Sequence, residues 1–95
     1  MVLERAEIVI QEGRMEEFVE VLRTKAIPLT GQFTGLISFR ALRGVEDVNS
    51  AMFLAEWESV EAHLASRPEP AHEQFWQLVL PFVVGSRSIV HFDPV

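Results

Sequence analysis

Apolar and polar positions divide the chain into segments with two different periods. Val2 to Ile10 interleaves β-branched residues with Glu4, Arg5 and Glu7 and predicts a strand, closed by EGR at 12–14. From Arg14 onward Met15, Phe18, Val19, Leu22 and Ala26 follow the i, i+3, i+4, i+7 spacing of one helical stripe. Glu16, Glu17, Glu20 and Arg23 then face water. Acids in the first turn and Lys25 near the end suit the helix dipole. Pro28 has no backbone donor, so the helix should kink or end there, with an irregular turn carrying Leu29 and Phe33 inward.

Thr34 to Arg43 predicts the second strand, with Ile37, Phe39 and Ala41 on one face and Leu36, Ser38, Arg40 and Leu42 on the other. GVEDVNS at 44–50 is a hairpin loop. Ala51 to Trp57, AMFLAEW, is apolar on both faces except at Glu56, the pattern of a strand covered on both sides. Ser59 is a plausible N-cap for a short helix running from Ala62, which RPEP at 67–70 breaks. A second helix opens at Pro70 or Ala71, with Phe75, Leu78, Val79 and Phe82 in one stripe widened by Trp76, Leu80 and Val83. Gly85 to Phe92 is the last strand.

The order β-α-β-β-α-β predicts an α+β, ferredoxin-like fold: an antiparallel four-stranded sheet with helices on one face. The face away from the helices carries either Ile37, Phe39, Phe53, Trp57 and Ile89 or the alternate set. Both sets are too apolar for water, and pairing of two chains through their sheets is the simplest cover.

Composition sharpens this picture. Ninety-five residues make one domain over 1–95, and 48% of them are hydrophobic. A chain so short hides only roughly 60–65% of its unfolded surface, so the apolar surplus again points to a second copy. Eight basic against fourteen acidic residues give a net charge of −6, which disfavours nucleic acid and anionic membranes as partners. The absence of cysteine removes disulfides, thiolate metal sites and Cys nucleophiles. Glu4, Arg5 and Glu7 interrupt what an export signal needs as an apolar run, and no stretch suits a membrane span, so the expected compartment is the cytoplasm.

Candidate chemistry gathers in EWESVEAHLASRPEPAHEQFW at 56–76, which holds both tryptophans and two of the three histidines. His72, opening a helix, reads as a general base or hydrogen-bond donor toward a phenolic oxygen, or as a histidine partly exposed beside Glu69 and Glu73. His63 has Glu61 nearby. A separation of nine between His63 and His72, without cysteine, matches no metal-ligand spacing, and no metal is expected. Trp57 is either an aromatic wall or a core anchor, and Trp76 either a cofactor contact or part of the helical stripe. Arg40 and Arg87 suit an anionic intermediate, or a pairing with Glu56 across a dimer. His91 lies on a strand whose facing the pattern leaves open.

Several pieces together resemble the antibiotic biosynthesis monooxygenase (ABM) family of dimeric α+β barrels: IVIQEGR, MEEF, FTGLISFRALR, FLAEWES, AHLAS, PAHEQF and SIVHF. The resemblance spans nearly the whole chain. His63 lies six residues after Trp57, and His72 nine after His63. That spacing is shifted from the family's, so either His63 or Ser66 stands in the first histidine position, whereas His72 fits the second either way. The resemblance implies a small-molecule pocket between sheet and helices. There His72 and His63 are the catalytic candidates, and Trp57, Phe39, Trp76 and Arg87 the candidates for substrate contact.

The family resemblance implies a cofactor-independent monooxygenase of a small quinol or polyphenol, working as a homodimer. It equally allows a non-catalytic, stress-associated dimer that binds a small hydrophobic ligand, or an isomerase. Haem degradation fits less well. That branch uses an Asn in the first strand, a Trp in the short helix and a later His, where this chain has Ala6, Ser66 and Trp76.

Overall fold

The computed structural model describes residues 1–95. Its elements run β1 (Val2–Ile10), α1 (Met15–Val21), α2 (Ile27–Thr30), β2 (Leu36–Arg43), β3 (Ser50–Trp57), α3 (Val60–Ser66), α4 (Pro70–Val79) and β4 (Val83–Phe92). The strands form one antiparallel sheet in the order β2-β3-β1-β4. This is the expected ferredoxin-like connectivity. No helix is long and apolar enough to cross a membrane.

Period-two alternation decides which face is core. Glu4, Ala6, Ile8 and Ile10 of β1 and Ala51, Phe53, Ala55 and Trp57 of β3 are buried, and they pair in register as Glu4↔Ala55, Ala6↔Phe53 and Ile8↔Ala51. The helices cover this face with Phe18 and Leu22, then Ala26, and with Ala71, Phe75 and Val79 from α4. Alanines in the two central strands leave room for the rings. Phe75 packs edge-on to Phe53 at 5.3 Å and to Phe39 at 5.5 Å. Phe82, expected on the α4 stripe, is buried from a following 3-10 turn, Leu80–Phe82, that begins beside Pro81.

Pro28 does not end the first helix. The chain widens into a π turn over Leu22–Ala26 and resumes as α2, with Pro28 in its first turn. The wider π turn accommodates the proline ring, which lacks the N–H that would otherwise bond one turn back. Phe33 then turns inward and is buried, as the irregular-turn expectation had it.

The opposite sheet face has no cover from this chain. Its residues pair as Leu42↔Met52, Arg40↔Leu54, Ser38↔Glu56, Arg5↔Val90 and Leu3↔Phe92. Phe39, Phe53, Trp57 and Ile89 belong to the helix side, which settles the choice between the two sets. Ile37 belongs to neither, because a register shift between Leu36 and Ser38 pushes it out to 54% exposure. Met52, Leu54 and Glu56 stay half-buried, so β3 is fully covered on one side only within a single chain.

Gly35 sets how closely α3 docks. Its φ is +84°, and a Cβ there would stand 2.8 Å from the Ala62 Cβ. Gly35→Ala should therefore destabilise the protein by about 1–3 kcal/mol, from backbone strain and an overpacked contact. Urea unfolding checks this, and an unchanged midpoint would contradict the docking.

Candidate functional site

The alternation that builds the core also drives one carboxyl group into it. Glu4 is in phase with Ala6, Ile8 and Ile10, and only 7% of it is exposed. His91 stands beside it on β4 as its cross-strand partner. Above them, Ser59 caps α3 by accepting the Ala62 N–H at 3.0 Å, and the helix lowers His63 onto this end of the sheet. The next helix contributes His72 from its first turn.

These side chains form three hydrogen-bonded pairs packed into one cluster. The Trp57 Nε1–H donates to Glu4 Oε1 at 2.8 Å, and His63 Nε2 lies 3.4 Å from the same oxygen. His63 Nδ1 is 2.7 Å from His91 Nε2, so one of those two nitrogens carries the shared proton. His72 Nδ1 meets the Ser66 hydroxyl at 2.9 Å. The rings stack nearly parallel: Phe33 on His72 at 4.4 Å and Trp57 on His63 at 4.7 Å, with Trp57 and His72 6.1 Å apart.

Burial shifts Glu4, His63 and His72 toward their neutral forms. Desolvation raises the Glu4 pKa, opposed by the Trp57 N–H and, electrostatically, by His91 and Arg67. The His63 pKa falls to about 4, mainly through desolvation, then through Arg67, His91 and His72. Desolvation also lowers the pKa of His72, while its hydrogen bond to the Ser66 main chain works the other way. At neutral pH His63 is therefore an uncharged imidazole able to accept a proton.

A cleft of about 480 Å³ opens over this group. Glu4 and His63 form its inner end, Trp76, Leu80 and Ile89 its apolar wall, and Arg67, Glu73 and Gln77 its polar rim. The volume falls within the range of small-molecule sites. Arg67 forms no ion pair within the chain. No group of three His, Cys, Asp or Glu side chains is arranged to hold a metal.

Of the residues expected at the site, His63 and Trp76 line the cleft. His72 and Trp57 stand behind it as buried members of the ring stack, 4% and 2% exposed. Phe39 is a correction: it packs in the core at 5.4 Å from Phe53, and its strand lies at the far edge of the sheet from β4. Arg87 is another. It is exposed at an irregularity of β4 and bonded to Asp47 at 3.0 Å, four residues from His91, about 13 Å along an extended strand. Arg67 supplies the positive charge beside the cleft instead. Glu4 went unrecognised although its signal was present, an acid in the buried phase of an otherwise apolar strand.

Residues 1–78 match the family described as antibiotic biosynthesis monooxygenase. The chain belongs to that family. The matched span holds Glu4, Trp57, His63 and His72 but stops before His91. YczJ of Bacillus subtilis strain 168 is 29% identical over 96 residues, covering all of both chains. A Bordetella bronchiseptica protein assigned by name to the same monooxygenases superposes with a TM-score of 0.88 at 24% identity, over 99% of this chain and 96% of that one. The fold extends further. A NIPSNAP domain protein from Burkholderia xenovorans matches with a TM-score of 0.75 at 18% identity, over 100% and 95% of the two chains.

The buried imidazole of this ABM protein has a consequence for stability. His63 binds its proton near pH 4 when folded and near 6.5 when unfolded, so between those values the unfolded chain holds more protons. Its contribution is complete above pH 6.5 and is lost as the pH falls toward 4. His63→Gln removes that dependence. The Tm of the wild type should fall more steeply than that of the variant across this window, read by circular dichroism. Parallel curves would show that His63 is not held neutral.

Proposed function

We propose that the protein is a cofactor-independent monooxygenase whose substrate is a small quinol or polyphenol held in the cleft over Glu4 and His63. The observation that carries this reading is a buried carboxyl and a neutral imidazole side by side at the inner end of an apolar-walled cleft of about 480 Å³. An ionised phenol is electron-rich enough to reduce O₂ itself. The protein's share is to remove the proton, keep the ring in a dry site and balance the anion. Two substrate hydrogens leave with one oxygen atom as water, and the other oxygen becomes a carbonyl on the product.

In this reading His63 faces the substrate and Trp76 forms the aromatic wall. Trp57 and His72 hold the inner rings in place, and Arg67 balances the phenolate charge from the rim. Membership of the antibiotic biosynthesis monooxygenase family supports the reaction class. The cleft supports the size and chemistry of the ligand.

The open sheet face belongs to the same proposal. Leu3, Val9, Leu42, Met52, Leu54, Val90 and Phe92 form an apolar surface that a second copy would cover, joining two sheets back to back. Sedimentation should give about twice the 10.8 kDa chain mass, and Leu54→Glu should shift the protein toward monomer. A wild-type monomer at micromolar concentration would refute the pairing.

Oxygen uptake tests the activity. Metal- and flavin-free protein is given a panel of reduced quinols and polyphenols, each with a no-enzyme autoxidation control. Uptake above the control should fall by about a hundredfold in His63→Ala, the scale of general acid–base assistance. His72→Ala should lose stability more than chemistry. No excess uptake across the panel would overturn the monooxygenase reading in favour of a ligand-binding dimer.

A further inference from the structure

One base is enough to ionise a phenol, yet three titratable side chains from β1, α3 and β4 stand in line at the inner end of the cleft. Glu4 Oε1 is tied down by the Trp57 N–H at 2.8 Å and lies 3.4 Å from His63 Nε2. Its other oxygen has no partner in the chain, and no buried side-chain oxygen or nitrogen in the protein is left without one. Glu4 Oε2 therefore reaches accessible surface, which for this residue is the cleft. At the other end His91, 2.7 Å from His63 Nδ1, is only half-buried on an edge strand, and its free Nδ1 is accessible by the same reasoning.

We propose that Glu4 is the group that takes the proton from the bound hydroxyl, and that His63 and His91 carry it to solvent beside β4. This rests on the phenol-binding reading of the cleft. In the first step the substrate O–H gives its proton to Glu4 Oε2, leaving a phenolate and a neutral carboxylic acid. The carboxyl then turns its protonated oxygen toward the imidazole and passes that proton to His63 Nε2, the oxygen it exchanges with becoming the acceptor of the Trp57 N–H. His63 passes its Nδ1 proton to His91 Nε2, and His91 gives its Nδ1 proton to water. Each transfer breaks one N–H or O–H bond and forms one. When O₂ is reduced to water in the cleft, the same chain run backwards returns one proton and restores both imidazoles to their starting tautomers.

The surrounding groups leave the proton no charged resting place inside the relay. Arg67, beyond α3, stabilises the ionised carboxylate and disfavours imidazolium at His63 and His72. Desolvation makes Glu4 a stronger base than an exposed carboxylate. From α4, His72 and Glu73 face the same region, and His72 is held aside by Ser66.

A phenol whose anion is coloured, 4-nitrophenol, reads the first step without oxygen. On binding to the intact protein it should ionise at a pH where the free dye does not. Glu4→Gln keeps an acceptor for the Trp57 N–H and should bind the dye without ionising it. His91→Gln, at the half-buried end, should leave the equilibrium ionisation in place but slow proton release by about tenfold or more. Stopped flow with a pH indicator measures that rate, and added imidazole should restore it. A dye that does not bind, or that ionises equally in Glu4→Gln, overturns the proposal. So does unchanged proton release in His91→Gln, a variant that serves even where Glu4→Gln does not fold. Dye ionised through Glu4 in a protein that consumes no oxygen would sink the monooxygenase reading alone. Oxygen uptake that survives Glu4→Gln would sink the relay alone.

Discussion

A carboxyl group taken out of water costs several kcal/mol unless the protein answers it, and here the answer is the Trp57 N–H at 2.8 Å. That bond needs β1 and β3 in register, since Trp57 comes from the end of β3 and Glu4 from the opposing strand. A slip of one residue would turn Glu4 to the open face and leave the indole N–H buried without an acceptor. The bond therefore ties sheet register to the site.

The ring stack extends from this point. Trp57 gives His63 a flat surface, Phe33 gives one to His72, and the Ser66 hydroxyl holds His72 in its plane. Phe33 reaches the stack from the turn that follows α2, where its N–H donates to the Thr30 carbonyl at 3.1 Å. Ala62 of α3 reaches Gly35 because that position carries no Cβ. Aromatic packing thus covers one side of the His63 imidazole, while the cleft opens on the other. Desolvation keeps His63 neutral, and neutrality is what makes it a proton acceptor. Fold stability and proposed chemistry draw on the same contacts.

Much of this was legible beforehand. Period two in β1 and β3 and period 3.6 in the helices are local properties, so element order, fold and family could be read from residue spacing. That His63 and Trp76 would come near one another was legible because they share a segment with recognisable neighbours, and both line the cleft. Arg87 and Phe39 misled for a common reason. Both are chemically apt, but position along a strand decides their surroundings. Arg87 finds Asp47 across the sheet, and Phe39 lies on an edge strand that β3 separates from the Glu4 strand.

The sequence by itself determined the pattern of strands and helices, the apolar surplus, the acidic balance and the cluster of aromatic and imidazole groups near the middle of the chain. These depend on neighbours a few residues apart. Only the tertiary structure decided which sheet face is core, that Ile37 is pushed out, that Arg67 rather than Arg87 lies at the cleft, and that Glu4, His63 and His91 meet. Those outcomes depend on strand register and helix docking between residues 28 to 87 positions apart, as in the 2.7 Å contact of His63 with His91. A carboxylate at position 4 acquires its character only when the last strand, the third strand and a short helix close around it.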